Sequence, residues 1–243
     1  MRKVSQILAT GALIGGLATP AWANSITFVT PTGATTGGGP VDASAQFTTG
    51  AGSLTITLTN LQANITDVAQ ALSDLLFTVH SASGASLGMT TAIVGTAPQG
   101  TVTVASGGSY TTGTTSSDGW QATGSSNSFL LNDLCGSGCS GPADLIIGGP
   151  GAGNLYTNAN GSIAGAPSHN PFLFESALFT LNIPGLTASD TISAATFSFG
   201  TTAGIDVPGI PGSTVPEPAS LLLLGSGLIG AGVRRFRSRR TAA

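Results

Sequence analysis

Between Lys3 and Arg234 this chain of 243 residues contains neither lysine nor arginine, which limits what can hold a fold together. All seven basic residues sit near the ends: Arg2, Lys3, Arg234, Arg235, Arg237, Arg239 and Arg240. From Asn24 to Pro216 there are nine acids (Asp42, Asp67, Asp74, Asp118, Asp133, Asp144, Glu175, Asp190 and Asp206), so a net charge of −3 conceals a body near −9. Inside that body only His80 and His169 can supply a positive partner. Stability must come from apolar burial and backbone hydrogen bonds, while mutual repulsion of the acids keeps the protein dispersed. Several functions fall away. Contact with a phosphate backbone needs cations that displace counterions, so nucleic acid is not an expected partner. A Schiff-base lysine, a phosphate-cradling lysine and an arginine clamp are equally unavailable.

The body, about 190 residues, is long enough for one domain with a real core. Charged residues make up only 7%, yet the apolar share of 41% is ordinary, which argues against disorder. Period-two alternation recurs instead. Leu54, Ile56 and Leu58 alternate with Thr55, Thr57 and Thr59. Similar patterns run through residues 75–79, 101–105, 179–183 and 192–199, with shorter apolar runs at 129–131 and 145–147. Gly, Pro, Asn and Ser clusters separate them. The expectation is a single all-β domain, a β-sandwich or jelly-roll, over residues 24–199. One stretch, 64–76, has helical spacing at Val68, Leu72 and Leu75 or Leu76, and reads as a helix or a long connection. Residues 30–40, 106–128 and 148–171 read as glycine-rich loops, and 200–214 as a Gly/Pro linker.

The N-terminus has the three parts of a secretory signal over residues 1–23. These are Arg2 and Lys3, an apolar stretch at 7–17, and an Ala21-Trp22-Ala23 cleavage site. That apolar stretch is too short for a permanent span, which needs about 20 residues.

Candidate chemistry in the body is sparse. Cys135 and Cys139 enclose Gly136-Ser137-Gly138; in an exported chain the even count favours a local disulfide, with free thiols or a metal as alternatives. The loop is too short for much gain in unfolded-state entropy. Gly84-Ala85-Ser86-Leu87-Gly88 fits the nucleophile-elbow pattern, with Asp118, Asp133, Asp144 and His169 downstream, but a β-branched stretch follows where a helix is required. His80 and His169 lie far apart for a two-histidine metal site. Asn132-Asp133, Asn154, Asn158 and Asn160-Gly161 offer oxygen ligands, so calcium is conceivable without an assigned site, though turns favour the same residues. Otherwise no cofactor or metal is expected. Trp120 and Tyr110 fall in one presumed loop, where a small glycan contact or packing against the sandwich would explain them.

The C-terminus is more specific. Pro216 and Pro218 hold Glu217 in an extended segment that a processing enzyme can grip. Residues 219–233 carry no charge and read as a short transmembrane helix; the following arginines Arg234, Arg235, Arg237, Arg239 and Arg240 place that end in the cytoplasm. Val215-Pro216-Glu217-Pro218, an apolar run and an Arg cluster, in that order over residues 215–243, closely resemble the PEP-CTERM sorting signal. The same module is also labelled an ice-binding protein C-terminal domain, a name that implies no ice binding. The resemblance implies an exosortase partner in a Gram-negative envelope and transient inner-membrane anchoring with the body periplasmic. It further implies processing near Glu217 and delivery to the cell surface or an exopolysaccharide matrix. For the body it implies no catalysis. The expected function is thus a sorted, non-enzymatic surface or matrix protein; the alternative is a carbohydrate- or calcium-binding adhesin. A Ser86 hydrolase and an ice-binding threonine face rank below these.

Overall fold

The computed structural model describes residues 24–94, 98–116, 119–135, 138–202 and 204–212. In chain order its first strands are β1 (Asn24–Val29), β2 (Thr35–Thr36), β3 (Gly39–Pro40), β4 (Ala43–Thr49), β5 (Ser53–Asn60) and β6 (Leu72–His80). Then follow β7 (Met89–Ile93), β8 (Gln99–Val104), β9 (Tyr110–Thr115), β10 (Gln121–Ser125), β11 (Ser128–Asn132) and β12 (Ile146–Ile147). The last are β13 (Phe172–Phe174), β14 (Ser176–Asn182), β15 (Thr191–Phe199), β16 (Asp206–Pro208) and β17 (Ile210–Pro211). The protein is all-β.

One sheet has the order β14-β5-β4-β1-β17. The alternation read from the sequence is what builds it. Along β5 every second side chain is buried, and the register sets Phe47, Ile56 and Phe179 in one cross-strand row and Ala45, Leu58 and Ala177 in the next. The threonines between them line the outer face. A second sheet is centred on β6, which pairs with β15 along one edge and with β11 along the other. Leu75, Phe77 and Val79 of β6 point towards the first sheet, and the Phe47 and Phe77 rings meet with centroids 5.2 Å apart. This aromatic contact joins the two layers.

Past its Leu72 end, β6 hands the sheet to β12, which runs parallel to β13; β8 and β9 extend that branch. A smaller core forms here from Ile65, Val68, Val102, Val104, Leu145, Ile147, Tyr156, Ile163 and Phe172. The 148–171 connection lies over it. Tyr156 is fixed there by its hydroxyl, which donates to the Gly148 carbonyl at 2.8 Å, and by a backbone bond from its N–H to Gly108.

Several expectations need correction. The helical reading of 64–76 gives way to a 3-10 turn, Val68–Gln70, held by a capping box between Asp67 and Gln70, after which the chain enters β6. A residue spacing of three and four also fits a turn followed by a strand buried on both faces, and the ladder with β15 outweighs one more helical turn. The supposed 106–128 loop contains β9, the whole of β10 and the first residue of β11, and the 30–40 loop contains the β2–β3 hairpin. The 200–214 linker is partly strand. Val207 is buried in the main core between β16 neighbours, β16 pairs with β15, and β17 crosses to pair with β1. A single apolar anchor amid Gly and Pro is enough, because strand edges supply the remaining bonds.

The signal residues Ala21 and Ala23 lie outside the described residues. So do Val215, Pro216, Glu217, Pro218, the 219–233 span, and Arg234, Arg235, Arg237, Arg239 and Arg240. Among the described residues no helix is long and apolar enough to cross a membrane.

Candidate functional site

Where β5 ends, its last residue becomes a strut. Asn60 is buried, and its amide donates to the carbonyls of Gln70 and Ile146, tying the main core to the smaller one. Beside this strut lies a cleft of about 510 Å³, open to solvent. Four separate stretches line it: the turn after β5, the start of β9, the Gly149–Asn154 part of the long loop, and the β13–β14 junction.

Two half-buried rings form one wall. Tyr110 and Phe174 have centroids 6.0 Å apart and planes inclined by 36°, and the buried Tyr156 stands edge-on behind Tyr110 at 5.5 Å. The Tyr110 hydroxyl donates to Asn154 Oδ1 at 2.8 Å, which orients that amide. Burial pushes the Tyr156 hydroxyl well above the ordinary phenol range, with Tyr110 and Glu175 adding to the effect, so Tyr156 stays a neutral donor.

Glu175 sits at the junction with a left-handed backbone, φ 62°, and Asn154 is left-handed too at φ 59°. Neither is glycine, so each position carries a backbone cost that its surroundings must offset. For Glu175 two ladder bonds do so: its N–H donates to Ile147 and its carbonyl accepts from Asn60. The carboxylate lies across Gly149, where an added Cβ would come within 2.6 Å of Oε1. Leu61, half exposed at 50%, forms an apolar lip. Chemically, the cleft offers an apolar ledge, an open carboxylate and an amide, with no cation.

The residues singled out from the sequence scatter. Trp120 is fully buried, packs on Phe179 at 5.1 Å and donates from Nε1 to the Asp144 carbonyl at 2.9 Å. It is a core residue that packs against the sheet and has no surface to offer a glycan; of that pair Tyr110 lines the cleft. Ser86 lies in the connection between β6 and β7, and strand follows it where a nucleophile elbow needs a helix. Asp133 and Asp144 are buried, Asp118 lies outside the described residues, and His169 Nδ1 meets the Ser162 carbonyl at 2.6 Å. His80 is the exposed last residue of β6. Cys135 and Cys139 are bridged, with Cα atoms 5.6 Å apart.

The asparagines proposed as calcium ligands build turns. Asn132 Oδ1 accepts from Leu134 N–H, and Asn160 Oδ1 from Ser162 N–H, while Asn158 N–H donates to Asn64 Oδ1. Among the described residues no group of three or more His, Cys, Asp or Glu could hold a metal ion.

Sequence reasoning passed over Phe174 and Glu175. A signal existed: Glu175 is the single glutamate among the nine acids of the body. Fold and cleft together define a class, an all-β protein with a solvent-open cleft on the loops of one rim. The C-terminus narrows this. Residues 214–240 match the PEP-CTERM protein-sorting motif, so the chain is an exported protein marked for exosortase processing. No curated protein and no solved structure matches it.

Proposed function

We propose that this is a non-enzymatic protein of the cell surface or exopolysaccharide matrix. It is exported by its N-terminal signal and held briefly in the inner membrane by residues 219–233 with the body periplasmic. An exosortase then cuts it near Glu217 and releases it outward. The observation that supports this reading is the sorting motif at 214–240, directly after the strand that closes the domain. Removing both ends discards every basic residue and leaves a strongly acidic, disulfide-bearing body, suited to an oxidising exterior. The role requires no cofactor and no catalytic group.

The test is fractionation of cells producing wild type and Glu217→Ala, with an epitope inserted in the body. Wild type should reach the surface or medium in a trimmed form. The variant should stay in the inner membrane with its arginine tail attached. Equal, untrimmed distribution of both would sink the reading. Trypsin gives a second check, because no site lies between Lys3 and Arg234: the trimmed form should survive digestion intact even when denatured. A second reading, a carbohydrate-binding adhesin, is favoured by the aromatic cleft.

A further inference from the structure

We propose that the cleft between Tyr110, Phe174 and Glu175 binds a neutral hexopyranose segment of an extracellular polysaccharide. This rests on the surface role proposed above and gives it a ligand. Three properties of the cleft carry the inference.

The first is shape and surface. Two inclined rings and Leu61 make an apolar ledge in a cleft of about 510 Å³, within the range of ~300–1,000 Å³ usual for small-ligand sites. A pyranose ring presents a face of C–H groups that packs on an aromatic ring, with hydroxyls around its edge. A purely apolar ligand would leave the cleft's polar rim unpaired. The open side lets a polymer pass through, so the ligand need not be a chain end.

The second is polarity. Glu175 can accept from two neighbouring hydroxyls at once, and charge-assisted bonds of this kind are about twice as strong as neutral ones. The Tyr110 hydroxyl engages Asn154 Oδ1 and so leaves the amide NH2 as a donor for a ring or hydroxyl oxygen. The carboxylate and the absence of any Lys or Arg from the body select against uronic acids, sulfated sugars and phosphates.

The third is construction. Glu175 and Asn154 both hold left-handed backbones, and the Glu175 carboxylate lies against Gly149, which offers it no side chain to displace. Asn60 locks the floor through two buried bonds. Strain gathered at the two polar groups that face the cleft, on a rigid floor, is what a preorganised site looks like.

The experiment is affinity electrophoresis of the full chain, purified in a detergent without sugar groups. Gels contain laminarin, hydroxyethylcellulose, mannan or polygalacturonate. Laminarin, hydroxyethylcellulose or mannan should retard the wild type, and polygalacturonate should not. Tyr110→Ala and Glu175→Gln should each weaken retardation tenfold or more. Tyr110→Phe keeps the ring and should lose less than Tyr110→Ala. Unchanged thermal melting of the variants guards against misfolding; should Tyr110→Ala melt early, Glu175→Gln decides. The inference is overturned if no neutral glycan retards the wild type, if polygalacturonate does so instead, or if retardation survives in Glu175→Gln. In each case correct sorting of the wild type would leave the surface role standing. Loss of sorting would remove that role whatever the gels show.

Discussion

The two cores are built on different principles. The main one rests on β4, β5 and β14, which alternate strictly, so that Phe47, Ile56 and Phe179 meet in register with Phe77 packed on them from the facing sheet, and the outer residues are left to solvent. The smaller one lies under a connection without strands, and its key side chain, Tyr156, is pinned by one hydroxyl bond and one edge-on ring. The regular core supplies stability and displays a threonine face with no ionisable group on β4 and β5. The irregular core supplies left-handed residues, a strut and a cleft. In this molecule the cleft opens beside the irregular core and not on the alternating face.

The strongest way to break the contrast is Phe47→Ala. Its ring touches Phe28 and Phe77 and is fully buried, so the loss should be about 3–5 kcal/mol and should appear as a lower urea midpoint for the whole domain. A change confined to the loop region would show that the main core does not hold the domain together.

Next in size is Asp74, on β6. Burial raises its carboxyl to about 6; a hydrogen bond from Ser198 opposes the shift and the charge of Asp206 adds to it. The folded value lies above the ordinary 3.8, so the native state takes up a proton that the unfolded chain does not. Stability from this group is therefore fully present below pH 3.8 and is lost as pH rises through about 6. Asp74→Asn should flatten that dependence and stabilise the protein at pH 7.5 by up to about 3 kcal/mol, at about 1.4 kcal/mol per pH unit. Urea midpoints at pH 5 and 7.5 measure it; equal midpoints for the wild type would refute the assignment.

The smallest effect sharpens the comparison. Tyr156→Phe keeps the ring but leaves the buried Gly148 carbonyl unpaired, at a cost of about 1–3 kcal/mol. Hydrogen exchange should speed up in the 148–171 connection and stay unchanged at Ile56 and Phe77. Uniform acceleration would mean one cooperative unit.

What could be read from the sequence follows the same divide. Leu54, Ile56 and Leu58 declared their strand because one face meets a core and the other meets water. β16 and β17 escaped notice because edge strands of two or three residues need only Val207 to anchor them, and backbone bonding leaves no trace in composition. The cleft was hidden for another reason. Residues 60, 110, 154 and 174 meet only through strand register and the parallel β12–β13 pairing, neither of which local spacing encodes. Trp120 misled because an aromatic among glycines looks exposed until the strands on either side are paired.

The pairing of β17 with β1 also has an orienting consequence. Gly212 bonds to Thr27, so the last described residues run antiparallel to β1 towards the pole where Asn24 lies. Register places Thr49, Ser53 and Asn182 at that pole and Thr59, Asn60 and Ser176 at the other. The cleft is on the second, one strand length away, or about 25 Å for eight residues. On the proposed route, a domain leashed to a bilayer by its tail would stand with its aromatic mouth outboard, able to catch polymer before the leash is cut.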